Sequence, residues 1–258
     1  MCLGTRAVLV AVRKAQEPRL ECRRNANEEK GNSMSTVMIT GANRGIGLEL
    51  TKRYAAAGND VLACCRDPKA ANDLNALDHV STYGVSVADG DSVAALKGEL
   101  GDRPIDLLIN NAGAPGPKQQ SALEMDYDGW AEAFAVNTMA PFRMLQTFRE
   151  NLKAAEGAKV ITITSQMGAL DLNWPLMYAY CSSKAAVNKI MRMVSLELAA
   201  DGTAVALIHP GHVKTDMGGA SAEIDVEESA AGIMSVIDGI SLEGTGCFMK
   251  WNGEVHPW

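Results

Sequence analysis

A short β-branched run over residues 37–40 passes directly into Thr40-Gly41-Ala42-Asn43-Arg44-Gly45-Ile46-Gly47 and then into a stretch with helical apolar periodicity. No other feature of the 258-residue chain restricts its fold as much. Each glycine in such a strand–turn–helix has a physical job. One permits the tight turn, one lets the backbone approach a pyrophosphate, and one lets the helix sit close to the sheet. The unpaired N–H groups at the helix start favour negative charge. A glycine-rich turn taken alone is an ordinary connection, so the rest of the chain has to supply the context.

That context is a regular alternation. Strands are expected at residues 37–40, 60–65, 81–87, 105–110, 159–164, 204–208 and 247–251, with helices between them. The first helix runs to about Ala57, with Gly58 and Asn59 as its stop signal. A long helix is expected over 129–155 and another over 178–200, before Asp201-Gly202. The pattern predicts an α/β fold of the Rossmann type, a doubly wound, seven-stranded parallel sheet with helices on both faces. No Pro/Ser-rich linker, repeat or low-complexity block divides residues 34–258, which read as a single domain.

Composition narrows the function classes. The net charge of −7 and the lack of a basic stripe interleaved with aromatics argue against nucleic acid as a partner. The cysteines, Cys2, Cys22, Cys64, Cys65, Cys181 and Cys247, form no Cys-x-x-Cys pair and have no His at ligand spacing, so no metal is expected. Cys64 and Cys65 read as small core residues, and a reducing, cytoplasmic compartment fits best. Residues 1–33 differ from the rest, with seven Lys/Arg against four acidic residues. Residues 7–12 are too short for a membrane span and lack a secretory cleavage pattern. The segment reads as a disordered extension, a weak organelle-targeting peptide or sequence upstream of a start at Met34; the last is favoured because the first strand follows at once.

Five further motifs follow in order. Asn110-Asn111-Ala112-Gly113 closes the fourth expected strand, Asn137 lies in the long helix, and Ser165-Gln166-Met167-Gly168 ends the fifth strand. Tyr180-Cys181-Ser182-Ser183-Lys184 puts a tyrosine and a lysine four residues apart, on one helix face. Pro210-Gly211-His212-Val213-Lys214-Thr215 ends the sixth strand. Each motif alone has a bland reading: a turn, a solvated helix Asn, an amphipathic helix with a Tyr at its edge. Their joint order and intervals do not.

The set resembles the short-chain dehydrogenase/reductase family over essentially all of residues 34–258, beginning with its Thr-Gly-x-x-x-Gly-x-Gly loop. The interval from Ser165 to Tyr180, the short segment after Thr215 and the ending Phe248-Met249-Lys250-Trp251-Asn252-Gly253 resemble the C-factor-like or sniffer-like branch of small carbonyl reductases. Ser86 departs from the pattern, because relatives often carry an Asp there to contact adenine. The resemblance implies hydride transfer between NADP(H) and a carbonyl or alcohol, with Asn137, Ser165, Tyr180 and Lys184 catalytic. Tyr180 would be the acid/base, lowered in pKa by Lys184, which also holds the nicotinamide ribose. Ser165 would orient the carbonyl, and Asn137 would place a water beside the lysine. Cofactor contacts are implied at Gly41, Asn43, Arg44, Gly45, Ile46, Gly47, Arg66, Asn111, Ala112, Gly113, Tyr180, Lys184, Pro210, Gly211, Val213 and Thr215.

NADP(H) is expected over NAD(H) because the second strand ends in Cys65 rather than an acid, with Arg66 next to it and Arg44 in the glycine loop. His209 and His212 flank Pro210-Gly211, but no Gly-x-Ser-x-Gly elbow accompanies them, which argues against a Ser/His pair. Met191 and Met193 make the last long helix broadly apolar. Core packing accounts for that, while relatives' use of this helix leaves a homodimer or homotetramer open. The competing reading is a non-enzymatic NADP(H)-binding regulatory or signalling protein on the same scaffold.

Overall fold

The computed structural model describes residues 34–173 and 175–258; the reading of residues 1–33 lies outside the described residues. Seven strands, β1 (Thr36–Thr40), β2 (Asp60–Cys65), β3 (Val80–Gly84), β4 (Leu107–Asn110), β5 (Lys159–Ile163), β6 (Ala204–His209) and β7 (Cys247–Lys250), form one sheet. All its pairings are parallel, in the order β3-β2-β1-β4-β5-β6-β7. This is the expected α/β architecture. The direction of winding reverses between β1 and β4, which opens a crevice at the carboxyl ends of those two strands. The glycine loop and the Asn-Asn-Ala-Gly turn leave the sheet at that crevice.

Strand side chains alternate between the two faces, so the sheet needs an apolar cover on both sides. Val37, Ile39, Val61, Ala63, Ile109, Ile161 and Ile208 face a core closed by α1 (Gly45–Ala56), α2 (Asn72–Asn75) and α8 (Val226–Asp238). Met38, Leu62, Leu108, Val160, Val205 and Leu207 face the other core. That one is closed by α3 (Gly90–Leu100), α5 (Ala140–Thr147), α6 (Arg149–Lys153) and α7 (Tyr178–Leu198). Cys64 and Cys65 fall on opposite faces as buried core residues, and burial pushes the Cys64 thiol up to about 12. α1 stops where expected, its end closed by Gly58 N–H to Ala55 O and Asn59 N–H to Tyr54 O.

The long helix expected over 129–155 is in fact segmented. α4 (Tyr127–Phe134) passes into a π-helical turn, Ala135–Met139, and then into α5, with a further break before α6. Pro141 carries no N–H, so the α-helical bond that residue 141 would donate to the Asn137 carbonyl cannot form, and the turn ahead of it widens. β3 ends at Gly84, short of residue 87. The chain there leaves the sheet for α3, whose start is capped by the Asp89 carboxylate accepting from Asp91 and Ser92 N–H. Ser86 therefore stands beyond the strand, its N–H donating to Ser92 Oγ.

Candidate active site

The glycine loop and the β4 turn are locked together by Thr40 and Asn111. Thr40 Oγ1 accepts from the N–H of Asn111 (3.0 Å) and of Ala112 (3.1 Å). Asn111 Nδ2 donates to the carbonyls of Thr40 (3.0 Å) and Gly41 (3.1 Å). Under this clamp α1 approaches so closely that a Cβ on Gly47 would lie 2.2 Å from Gly41 O. α1 begins at Gly45 with no side-chain cap and no acidic residue in its first turn. The first N–H groups thus have no capping side chain and no carboxylate of their own turn to compete for them. This donor set and cradle fit the pyrophosphate of a dinucleotide.

At the next strand end, Ser165 caps a short 3₁₀ turn, Gln166–Gly168, by accepting from Met167 N–H at 3.1 Å. Gly168 lets that turn lie on α7: a Cβ there would sit 2.7 Å from the Lys184 carbonyl carbon. α7 carries Tyr180 and Lys184 one turn apart, as helical spacing requires. The half-buried Tyr180 is hydrogen-bonded to Ser165 through their side chains. Lys184 Nζ lies 5.8 Å from the Tyr180 ring centre and donates to Ile163 O at 3.1 Å.

One expectation about this group needs correction. Burial, opposed by the Ser165 hydrogen bond, raises the Tyr180 phenol above its ordinary value instead of lowering it. The lysine is itself buried and pushed down to about 8, so it keeps its charge at neutrality and loses it above that value. Asn137 is brought to the same region by the π-helical turn, and its side chain bonds to two neighbouring segments. Its Nδ2 donates to Ala114 O (2.8 Å) and Ser183 Oγ (2.9 Å), and its Oδ1 accepts from Ala114 N–H (2.8 Å). Through these bonds Asn137 ties the loop after β4 to α7, and Thr138 adds a bond from Oγ1 to Ser183 O at 2.8 Å.

The loop after β6 closes the crevice from the other side. Pro210 O accepts from Ser229 Oγ at 2.6 Å, Gly211 packs against Ile224 and Trp251, and Val213 is buried. Thr215 reaches the glycine loop, where a Cβ on Gly45 would lie 3.2 Å from its Cγ2. Arg44 Nη1 meets Asp216 Oδ2 at 3.3 Å across this gap, a contact between residues too far apart in sequence to anticipate. Arg66 is exposed just past β2, while the Asp67 carboxylate accepts from the N–H of Lys69 and Ala70. His209 is buried with its ring edge-on to His256 at 5.6 Å and is pushed down to about 4 by burial and by the charges of its neighbours. His212 Nε2 is hydrogen-bonded with Gly218 O. Neither histidine serves Ser165 as a base.

An open cleft of about 480 Å³ is lined by residues 115–121, Glu124, Leu176 and Met177. Leu176 and Met177 precede α7 with φ of 80° and 56°, a left-handed conformation that costs free energy in residues with a Cβ. Sequence alone did not pick out Thr40, Gln120, Ser183 or Asp216. Thr40 and Ser183 were inside quoted motifs with no role assigned, and Gln120 and Asp216 carry no local signal. Among the described residues no helix is long and apolar enough to cross a membrane, and no group of three or more His, Cys, Asp or Glu could hold a metal ion.

Comparison with known proteins gives the same answer from several directions. C-signal of Myxococcus xanthus is 39% identical over 157 residues, covering 60% of this chain and 93% of the relative. The carbonyl reductase Sniffer of D. melanogaster superimposes with a TM-score of 0.80 at 28% identity, covering 88% of this chain and all of that one. A carbonyl reductase from Pseudomonas aeruginosa PAO1 in complex with NADP superimposes with a TM-score of 0.78 at 34% identity, with 88% and 100% covered. Residues 35–225 match the sequence profile of short chain dehydrogenase. With the glycine cradle, the Ser165–Tyr180–Lys184 group and that match in hand, the chain belongs to the short chain dehydrogenase family.

Proposed function

We propose that the protein is an NADP(H)-dependent oxidoreductase that reduces an aldehyde or ketone. The observation that carries this reading is the Tyr180 hydroxyl bonded to Ser165, with Lys184 one turn along the same helix and its Nζ 5.8 Å from the Tyr180 ring centre. When bound, NADPH supplies a hydride to the carbonyl carbon. Tyr180 Oη gives its proton to the carbonyl oxygen, and Ser165 Oγ donates a hydrogen bond to the same oxygen as charge develops there. A phenol held protonated by burial is suited to this donor role. Lys184 holds the nicotinamide ribose, and Asn137 keeps Ala114 and Ser183 in register around the site. The loop residues Gly41, Asn43, Gly45, Ile46 and Gly47, with Asn111, Ala112 and Gly113, hold the pyrophosphate side of the cofactor. Pro210, Gly211, Val213 and Thr215 hold its nicotinamide side. The rival reading, a binding protein without catalysis, gives no reason for the complete Asn137, Ser165, Tyr180 and Lys184 set. The test is a panel of carbonyl compounds followed through NADPH absorbance. No oxidation of NADPH by any aldehyde or ketone overturns the proposal.

Cofactor choice follows from the end of β2. Cys65 packs into the core, so no carboxylate faces the adenosine ribose, and the first exposed side chain is Arg66. Arg44 is held by an exposed ion pair with Asp216, worth little in water and open to competition by a 2′-phosphate. A hydrogen bond to a charged group contributes about 1.5–3 kcal/mol. Arg66→Ala is therefore expected to weaken NADPH binding by roughly 10- to 100-fold and to leave NADH binding nearly unchanged. Titration of both cofactors checks this, and equal weakening of the two refutes the assignment.

The pH profile has a definite sign. Lys184 loses its proton as pH rises through about 8 in the free protein, and with it the charge that holds the ribose hydroxyls. Tyr180, raised by burial, keeps its proton over the neutral range. In the reductive direction kcat/KM for NADPH should stay level from neutrality to near 8 and fall above it, because that ratio reports the free enzyme. A profile that climbs through that range contradicts the assigned states.

A further inference from the structure

The first turn of α7 has N–H groups with no partner inside the helix. The residue before it, Met177, offers no side-chain cap. One of those N–H groups belongs to Tyr180 itself, and its partner comes from another part of the chain. Gln120 Oε1 accepts from Tyr180 N–H at 3.1 Å. The same amide uses both of its donors on the opposite wall of the cleft, Nε2 to Pro117 O at 2.7 Å and to Pro115 O at 3.0 Å. The backbone of Gln120 is anchored in turn by a bridge to Met125, and Gly116 seats the loop against Ala179.

From this bracket we propose that Gln120 is a positioning residue for the reduction reaction, holding the Tyr180 backbone with one arm and shaping the substrate wall with the other. The proposal rests on the reductase reading above for its kinetic part only. A glutamine is suited to the task because a single planar group offers an acceptor in one direction and two donors in the other. Neither proline carbonyl has a donor within its own loop segment other than this amide. The two arms should then separate in kinetics. The Tyr180 arm governs where the phenol sits relative to Ser165, and so governs kcat. The proline arm governs the shape of the cleft, and so governs KM for the carbonyl substrate.

Gln120→Leu removes both arms. It is expected to lower kcat by roughly 10- to 100-fold, as a small misplacement of a reacting group does, and to raise KM, with NADPH affinity held. Gln120→Glu keeps an acceptor for Tyr180 N–H but sets a carboxylate against two carbonyl oxygens. It should recover most of kcat while KM stays high. Hydrogen exchange of the Tyr180 amide gives a readout independent of turnover: faster in Gln120→Leu, restored in Gln120→Glu. Equal kinetic damage in the two variants, or kcat within twofold of wild type in Gln120→Leu, overturns the positioning role. Unchanged Tyr180 exchange in Gln120→Leu overturns the bracket itself. A wild-type protein that reduces no carbonyl would sink the reductase reading while leaving the exchange result to decide on Gln120.

Discussion

Tyr180→Phe is expected to lower kcat for carbonyl reduction by roughly 10²- to 10⁴-fold, the range over which a positioned proton donor contributes, while NADPH binds almost as before. The substitution removes only the hydroxyl. The ring keeps its place on α7, packed in the same half-buried site with Lys184 Nζ 5.8 Å away. Lys184 keeps its bond to Ile163 O, so the ribose side of the site is untouched. What disappears is the proton source and the hydroxyl's bond to Ser165. Single-turnover reduction with NADPH prebound isolates the chemical step from cofactor affinity. Turnover within a few fold of wild type would falsify the assignment of Tyr180 as the acid.

Gly47→Ala should be nearly as damaging, by an unrelated route. The added methyl would lie 2.2 Å from Gly41 O and 2.5 Å from Asn111 Nδ2, so the helix or the loop has to move. Asn111 cannot simply swing away, because that amide holds the carbonyls of Thr40 and Gly41. Overpacking of this kind costs about 1–3 kcal/mol. Because the displaced groups are the ones that face the pyrophosphate, NADPH affinity should fall by roughly 10- to 100-fold alongside the stability. Gly98→Ala provides the control: it lies in α3 with open space around it, and should stabilise by up to ~1 kcal/mol with no change in binding. Isothermal titration and thermal unfolding of the two variants separate the cases. Wild-type affinity in Gly47→Ala would show that the close approach of α1 is not what forms the phosphate cradle.

Most of the seven strands were legible because a strand buried on both faces writes itself as a short apolar run bounded by turn residues, while the half-exposed β3 ended earlier than expected. The Asp60–Cys65 strand matches residue for residue. The glycine loop was legible because close backbone approach leaves glycine little alternative. The long helix was misjudged in its middle. Apolar periodicity over 129–155 averages across a one-residue irregularity, and the single available sign was Pro141. The environment of Tyr180 was misjudged for another reason. A lysine four residues away can be counted in a sequence, but the burial that raises the phenol depends on what the fold packs around it. Gln120 and Asp216 were invisible because their partners, Tyr180 and Arg44, are 60 and 172 positions distant. Loop residues declare their roles only when the fold brings the other end of the chain to them.

The π-helical turn at Ala135–Met139 has a bearing on how this chain can change in length. Such a turn holds one residue more than an α-helical turn of the same span, so α4 and α5 stand in the phase they would have if that residue were missing. Losing one residue there would leave Met144 and Leu145 still facing the core, although Pro141 would keep that turn short of one α-helical bond. Elsewhere in the helix the same loss would rotate everything downstream by about 100°. Asn137 and its ties to Ala114 and Ser183 are thus carried by the extra residue of that turn, so the join between the loop after β4 and α7 depends on a length the rest of the helix does not need.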